Sequence, residues 1–473
     1  MLSVVILLSN CKEAPKVEVE RPSPPNVIFI MADDLGYGDI GPYGQQKIKT
    51  PFLDKMAKEG LLFTQFYAGT SVCAPSRASL LTGQHTGHIA IRGNRQHGRR
   101  NGQMPLAANQ MTLATLMKAA GYRTGLVGKW GLGNPGTSGD PLKQGFDFYY
   151  GYTDQILAHN YYPEYLYRNG EKEKLNNTVV YQDSKLWHEG LGSTSTEKND
   201  YSNDRFTREA LSFIEGEDRK SPFFLYLALT LPHDNGEQLP DELFEVPDQG
   251  RYASKPWTKN QKDYAAMVTR MDHTVGMVRA TLDSLGIAEH TIVIFTSDNG
   301  PYRSHPTTAF FDSNGILRGG KRDLYEGGTR VPMLAVWPKT INKGRTSDHV
   351  GAFWDVMPTL AELVGQKQPG SSDGHSFLPT LLEKGTQTTH NQLYWEFHSS
   401  QGALQAVREG DYKYISFRST DKDSIRQELY KLSEDLGELQ DLSTVLPERV
   451  RRMDSIANSE RTTSEFFQFP IED

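Results

Sequence analysis

Residues 26–34, which read Asn-Val-Ile-Phe-Ile-Met-Ala-Asp-Asp, decide the fold class of this chain. Positions 27–32 are continuously apolar, as in a strand of a parallel sheet that is covered by helices on both faces. Two aspartates follow at the point where such a strand ends. The stretch therefore predicts a buried strand that delivers two carboxylates to one edge of a sheet.

Outward from this strand, short apolar runs alternate with longer amphipathic segments. Repeated units of this kind predict an α/β domain over residues 26–385, with a large mixed, mostly parallel sheet sandwiched by helices. A small C-terminal antiparallel α+β subdomain is predicted over residues 386–473. The further predicted strands are 124–127, 222–229, 291–296, 393–397, 403–408 and 412–417, and the predicted helices are 52–57, 112–120, 203–215, 264–285 and one after Pro447.

The composition limits the classes of function. With 473 residues and 37% hydrophobic content, the chain can bury a large core. A net charge of -7 argues against nucleic-acid binding, which needs a basic face. An anionic substrate must therefore be attracted by a local cationic pocket. The two cysteines, Cys11 and Cys73, exclude a disulfide framework.

The N-terminus is typical of an export signal. Residues 1–8 form an apolar run that is too short to span a membrane, and Leu8-Ser9-Asn10-Cys11 resembles the lipobox of bacterial lipoproteins. Residues 1–25 are thus predicted to be a signal and flexible tether, with Cys11 as the lipidation site. We expect an exported protein, periplasmic or anchored to the outer membrane of a bacterium, that meets a membrane only through the lipid. Ordinary secretion is the alternative.

Polar side chains stand where four predicted strands end. Because ligands of open α/β sheets bind beyond the carboxyl ends of the strands, we expect these side chains to share one site. The set consists of Asp33, Asp34, Lys129, His233, Asp298 and Asn299.

The acidic members of this set predict a metal site. Asp33, Asp34, Asp298 and Asn299 offer hard oxygen ligands, which suit calcium or magnesium and not zinc. Each acidic motif taken alone has turn chemistry as its alternative explanation. Two such motifs on strand ends favour the metal site.

Residues 70–83, Thr-Ser-Val-Cys-Ala-Pro-Ser-Arg-Ala-Ser-Leu-Leu-Thr-Gly, carry the most chemical information. Pro75 suits the first turn of a helix, which places Cys73 at the N-terminus of that helix. The helix dipole favours an anion there. A small buried cysteine is the alternative, but the following Pro, Ser and Arg make a poor core and a good anion pocket.

The segment Cys73-Ala74-Pro75-Ser76-Arg77 resembles the Cys-x-Pro-x-Arg motif of type I sulfatases, a family of the alkaline-phosphatase-like superfamily. The resemblance implies that a formylglycine-generating maturation enzyme oxidises Cys73 to formylglycine, and that calcium is the cofactor. It extends over most of the chain, through blocks at residues 26–36, 128–130, 231–233, 297–300, 320–332 and 429–435.

The resemblance also implies a role for each residue of the site. Cys73, as the hydrated aldehyde, attacks sulfur and is also a ligand of the calcium, together with Asp33, Asp34, Asp298 and Asn299. Arg77 holds the geminal diol, and Lys129 and Lys321 bind sulfate oxygens. His233 protonates the departing alcohol.

One position departs from the family pattern. Many members have Gly-Lys-Trp-His-Leu-Gly, in which the histidine is assigned as the base that helps sulfate leave, whereas residues 128–133 here have Gly131 in its place. Glycine cannot act as a base. His159 is the candidate replacement, and substrate contact is its alternative role.

The stretches 131–134, 145–155 and 158–163 resemble bacterial sulfatases that act on sulfated galactose or N-acetylgalactosamine. A sulfated carbohydrate is therefore the expected substrate, with the 4-sulfate ahead of the 6-sulfate. His159, Arg303 and His305 are the predicted substrate-binding residues.

Two other functions stay open from the sequence. One is a phosphodiesterase or phosphonate hydrolase of the same superfamily, and the other is a non-catalytic lipoprotein that binds sulfated glycans. Three weaker patterns each have a functional and a structural interpretation. These are a His85/His88 metal pair, a basic stretch of Arg92, Arg95, His97, Arg99 and Arg100, and a sugar platform of Tyr161, Tyr162, Tyr165 and Tyr167.

Overall fold

The computed structural model describes residues 24–94, 103–182, 192–216, 221–400, 402–419 and 425–469. Its strands are β1 (Asn26–Ala32), β2 (Leu61–Phe63), β3 (Phe66–Tyr67), β4 (Arg123–Lys129), β5 (Phe148–Tyr152), β6 (Tyr165–Arg168), β7 (Glu171–Lys174), β8 (Thr178–Tyr181), β9 (Ser193–Glu197), β10 (Phe223–Ala228), β11 (Thr291–Ser297), β12 (Met333–Val336), β13 (Arg345–Ser347), β14 (Gly351–Ala352), β15 (Leu393–Ser399), β16 (Gly402–Glu409), β17 (Tyr412–Ser419) and β18 (Ile425–Lys431). Its α-helices are α1 (Pro51–Glu59), α2 (Cys73–Thr82), α3 (Leu113–Ala119), α4 (Ser202–Glu215), α5 (Lys259–Ser284), α6 (Pro306–Phe311), α7 (Glu326–Thr329), α8 (Val356–Leu363), α9 (Leu378–Leu382) and α10 (Pro447–Ser459).

A ten-stranded mixed sheet organises the molecule, in the order β13-β2-β12-β11-β1-β10-β4-β5-β6-β7. Strand β1 lies in its middle and pairs in parallel with β10 on one side and β11 on the other. Strands β4 and β5 continue the parallel part beyond β10. Antiparallel strands occur toward both edges, where β12 follows β11 and β6 follows β5.

Both faces of this sheet are buried, which explains the continuous apolar run in β1. Val27, Phe29 and Met31 pack in one core cluster with residues of α2, α3 and α8. Ile28 and Ile30 point to the other face and pack with residues of α1, α4 and α5. The predicted mostly parallel sheet between helices is therefore confirmed.

A second, four-stranded antiparallel sheet, β15-β16-β17-β18, follows the main sheet in the chain. Helix α10 packs on it through Val450, Met453 and Ala457. This is the predicted C-terminal subdomain, whose first strand begins at Leu393. The division into residues 26–385 and 386–473 stays a prediction.

A buried ion network joins the two sheets. Glu326, at the start of α7, accepts hydrogen bonds from Tyr67 Oη (2.8 Å) and Arg330 Nε (2.6 Å). Its other oxygen accepts from Lys413 Nζ on β17 at 2.8 Å. Burial alone would raise the pKa of Glu326, but Lys413 and Arg330 hold it well below its ordinary value. Glu326 is thus a buried carboxylate that depends on cations from both parts of the molecule.

No helix among the described residues is long and apolar enough to cross a bilayer. The predicted lipidation site, Cys11, lies outside the described residues, as does the tether up to residue 23.

Candidate active site

The carboxyl ends of neighbouring strands bring most of the predicted site residues together. Strand β1 leads into Asp33 and Asp34, and β4 ends at Lys129. Strand β10 leads into the loop of His233, and β11 leads into Asp298 and Asn299. Potential ligand atoms of Asp33, Asp34, Cys73 and His233 all lie within 4.8 Å of one another. The sheet edge predicted from the sequence therefore forms one buried polar centre.

Cys73 is the first residue of α2, as Pro75 predicted. The side chain is buried, and its Sγ lies 3.3 Å from Asp33 Oδ1 and 4.0 Å from Asp34 Oδ1. Burial, with the charges of Asp298 and Asp33, raises the pKa of the thiol well above its ordinary value. The unmodified side chain is therefore a protonated thiol, which is a weak nucleophile.

Three buried cations, Lys129, Lys321 and Arg77, surround the carboxylates. Lys129 Nζ lies 2.6 Å from Asp33 Oδ2, and Lys321 Nζ lies 2.7 Å from Asp34 Oδ2. Burial would raise the pKa of Asp33, but Lys129 and the other nearby cationic groups hold it well below its usual range. The two lysines therefore form a local cationic pocket in a chain that is acidic overall.

Arg77 forms a buried ion pair with Asp298 in this structure. Its Nε and Nη2 donate to Asp298 Oδ2 at 2.9 and 2.8 Å, and its Nη1 donates to the Lys129 carbonyl at 2.8 Å. The guanidinium thus ties α2 to the ends of β4 and β11. Its predicted contact with the diol stays a prediction.

His233 is held in one orientation. Its Nδ1 lies 2.6 Å from the Asp234 carbonyl oxygen, which accepts only if Nδ1 carries a hydrogen. Its Nε2 then accepts from Lys321 Nζ at 2.8 Å. Burial and the Lys321 charge lower the pKa of His233 well below its ordinary value. Its role as an acid requires a proton on Nε2 and stays a prediction.

The acidic residues have the chemistry of a calcium site. Asp33, Asp34, Asp298 and Asn299 are buried, and Asn299 Oδ1 has no hydrogen-bond partner among the described residues. Burial and the Asp33 charge raise the pKa of Asp298 to about 7. A bound cation would favour the ionised carboxylate and give Asn299 Oδ1 a partner. The donor set fits a hard divalent cation.

His159 lies beside this centre, and Gly131 itself offers no side chain to act as a base. The His159 ring stacks on His233 with centroids 4.8 Å apart, and its Nδ1 lies 3.2 Å from Glu237 Oε2. Gly131 has a left-handed φ of 73°. The base role of His159 stays a prediction, as does substrate contact.

Arg303 and His305 lie on the loop after β11. Arg303 is half-exposed, and its Nη1 lies 3.1 Å from Asp323 Oδ2. His305 is buried in a small cavity next to Asp34, and its Nε2 has no partner among the described residues. Phe244, Tyr264 and Tyr302 line the same cavity. Both predicted substrate residues are thus near the centre, with Arg303 further out.

His85 and His88 form hydrogen bonds that favour their structural interpretation. His88 Nδ1 lies 2.9 Å from Asp373 Oδ1, and His85 Nε2 lies 3.3 Å from Glu460 Oε2. The Gly87 amide donates to His85 Nδ1 at 3.1 Å, so Nε2 carries the hydrogen in the neutral ring. Each imidazole therefore interacts with a carboxylate, His88 with Asp373 and His85 with Glu460.

The other weak patterns are also structural where they are described. Arg92 is buried, and its Nη1 lies 3.2 Å from Glu396 Oε1, so it does not line an open cleft. The rest of that basic stretch lies outside the described residues. Tyr161 and Tyr162 belong to the core, and Tyr165 packs edge-on against Tyr167.

Sequence reasoning missed three polar residues around the centre. Asp234 orients His233 through its backbone carbonyl, which no side-chain pattern reveals. Glu237 pairs with His159 across 78 positions of sequence. The third is Gln155, whose amide lies where a side chain at position 131 would begin.

Comparison with known proteins agrees with this fold and site. Residues 25–366 match the family model described as Sulfatase, and residues 319–452 match the one described as N-sulphoglucosamine sulphohydrolase, C-terminal. The N-acetylgalactosamine-6-sulfatase of Mus musculus is 34% identical over 407 residues, covering 83% of this chain and 72% of that protein. The arylsulfatase of Hemicentrotus pulcherrimus is 34% identical over 429 residues, covering 86% and 69%.

A solved structure supports the same assignment. Ps i-CgsB in complex with k-i-k-neocarrahexaose superposes with a TM-score of 0.77 at 28% identity, over 93% of each chain. The fold and the polar centre at its strand ends define a hydrolase of the alkaline-phosphatase-like superfamily. The chain belongs to the sulfatase family and is a sulfuric ester hydrolase. This favours sulfate-ester hydrolysis over the phosphodiesterase, phosphonate hydrolase and non-catalytic alternatives.

Proposed function

We propose that this chain is a calcium-dependent carbohydrate sulfatase whose Cys73 is converted to formylglycine by a maturation enzyme. The observation that carries the proposal is the position of Cys73, at the N-terminus of α2 with Sγ 3.3 Å from Asp33 Oδ1. A protonated, buried thiol is a poor nucleophile, whereas an aldehyde hydrate offers hydroxyl groups at the same position.

The surrounding residues provide binding and proton transfer. Lys129 and Lys321 present two ammonium groups to a sulfate group placed over Cys73, in a site that largely excludes water. His233 would give a proton to the departing alcohol oxygen once a proton has been taken up on Nε2, which here accepts from Lys321, while the Asp234 carbonyl fixes the ring through Nδ1. A calcium ion, when bound, would supply Lewis-acid polarisation of a sulfate oxygen.

Calcium is expected to raise the thermal stability of the protein, because it would bind only the folded arrangement of the acidic residues. At one hundred times its Kd, the added stability would be about 2.7 kcal/mol. Asp298→Ala is expected to remove most of this increase. Differential scanning calorimetry with calcium and with a chelator measures the effect.

Asp241→Ala is the matched control, since Asp241 is an exposed aspartate that does not belong to the acidic set. This variant should keep the full calcium response. Two zinc ions per active chain, found by metal analysis, would contradict the calcium assignment and favour a phosphatase-type site.

The substrate proposed is a sulfated galactose or N-acetylgalactosamine unit of a glycan. The name of the mouse relative supports an N-acetylgalactosamine unit, and the Ps i-CgsB complex with k-i-k-neocarrahexaose supports an oligosaccharide substrate. The small cavity that contains His305 lies next to Asp34 but is too small to enclose a sugar ring, so a ring would lie across its mouth, beside Tyr302. Arg303, further out, can meet a neighbouring anion of the glycan.

Position-defined sulfated sugars test this proposal. We expect the highest kcat/KM on galactose or N-acetylgalactosamine sulfates, with the 4-sulfate compared directly against the 6-sulfate. Arg303→Ala should lower kcat/KM roughly tenfold on an oligosaccharide and much less on a small aryl sulfate, because only the former reaches that side chain. Lys339→Ala, at an exposed lysine, is the control. Activity confined to glucosamine sulfates would contradict the proposed sugar.

We further propose that the protein is an exported bacterial lipoprotein anchored through Cys11. The support is the lipobox-like sequence at residues 8–11. A glycan substrate is compatible with that location, because polysaccharides are met outside the cytoplasm.

A further inference from the structure

Gln155 is a buried amide with unused hydrogen-bonding capacity. Its side chain is 4% exposed, yet neither Nε2 nor Oε1 has a hydrogen-bond partner among the residues that the structure describes. An unpaired buried amide is costly to the folded state. Such a group is expected to gain its partner from a bound water, an ion or a ligand.

Gln155 lies at the same edge of the sheet as the catalytic centre. Strand β5, which precedes it, pairs in parallel with β4, so that Tyr152 aligns with Lys129. The Gly131 amide donates to the Thr153 carbonyl at 3.1 Å and holds the two strand ends together. Four residues beyond Gln155, His159 stacks on the ring of His233. The amide therefore lies beside Gly131, two positions after Lys129, on the segment that leads to His159.

Gly131 and Gln155 fit each other sterically. A Cβ atom on Gly131 would lie 1.9 Å from Gln155 Nε2 and 2.6 Å from its Cδ. Gln155 thus fills the space into which any side chain at position 131 would have to extend. The space left by the missing side chain at position 131 is therefore occupied by the Gln155 amide, which belongs to the segment after β5.

We propose that Gln155 is a substrate-binding residue whose Nε2 donates a hydrogen bond to an oxygen of the bound sulfate group. This inference rests on the proposed function of the site. An amide cannot accept the proton that a histidine base would take, so Gln155 contributes binding and orientation and not proton transfer. Bound sulfate would supply the partner that the amide lacks among the described protein groups.

Gln155→Met tests the proposal, since methionine keeps the length of the side chain and removes the amide. We expect kcat/KM on a chromogenic aryl sulfate to fall roughly ten- to hundredfold, as for loss of a hydrogen bond to a charged group. The inhibition constant for inorganic sulfate should rise in parallel. The melting temperature should stay unchanged or increase, because an unpaired buried amide is replaced by an apolar group. Gln155→Glu should weaken sulfate inhibition further through charge repulsion.

Gln45→Met is the matched control. Gln45 is also buried, but its Nε2 donates to the Gly38 and Phe311 carbonyls and its Oε1 accepts from the Lys47 amide. This variant should have a lower melting temperature than wild type and an unchanged inhibition constant for inorganic sulfate. Unchanged kcat/KM and sulfate inhibition in Gln155→Met would overturn the proposal, whether or not the melting temperature falls. Wild-type protein that carries formylglycine and cleaves no sulfate ester would instead overturn the proposed function.

Discussion

Replacing Cys73 with alanine is expected to lower hydrolysis of a chromogenic aryl sulfate by roughly 10³-fold or more, because the variant has no side chain to convert into the nucleophile. The fold should persist. Cys73 packs as a small side chain at the start of α2, so its removal should cost about 1 kcal/mol of unfolding free energy. Turnover and thermal melting measured on the same preparation separate the two effects.

Two further measurements make this result specific. The wild-type peptide that contains Cys73 should show, by mass spectrometry, the mass of an aldehyde in place of a thiol. Ser79→Ala, a small change at a buried position of the same helix, should keep nearly full activity. Cys73→Ser should be nearly inactive unless a maturation enzyme acts on serine. Full activity of purified Cys73→Ala would contradict the nucleophile assignment.

Strand β1 shows how much of the fold could be predicted. A continuous apolar run is unambiguous when both faces of a strand are covered, and the run at positions 27–32 forms the centre of the sheet. The edges were harder to predict. Strand β2 has three residues, and β12 runs antiparallel beside β11. Pairing direction at such short strands depends on tertiary contacts and leaves little pattern in the sequence.

The candidate site divides in the same way. Asp33, Lys129 and Asp298 could be predicted to meet because each follows a parallel strand, and parallel strands end at one edge. Gln155 could not, because nothing in Thr153-Asp154-Gln155 distinguishes an amide that reaches toward position 131 from one that faces solvent. The signal lay at Gly131 itself. A glycine where the family pattern has a histidine leaves space that a neighbouring side chain can fill.

Glu326→Ala is expected to destabilise the protein by about 3–5 kcal/mol, the cost of leaving a buried charge without its partner. Glu326 and Lys413 are fully buried, and the variant would remove the carboxylate from buried Arg330 and leave Lys413 with Glu438 Oε1, at 3.3 Å, as its remaining carboxylate among the described residues. Because Lys413 lies on β17 and Glu326 on α7, the loss should loosen the contact between the two sheets. Urea unfolding followed by tryptophan fluorescence measures the change, since Trp395 of β15 packs in the cluster at this contact.

Two comparisons separate a buried ion pair from a general effect of charge removal. Glu434→Ala breaks the exposed pair with Lys431 and should change stability by less than about 1 kcal/mol. The double variant Glu326→Met/Lys413→Met removes the Lys413 ammonium as well and should recover only part of the stability lost in Glu326→Ala, because Arg330 still lacks its Glu326 partner and Glu438 loses Lys413. A Glu326→Ala protein as stable as wild type would show that this network does not hold the two sheets together.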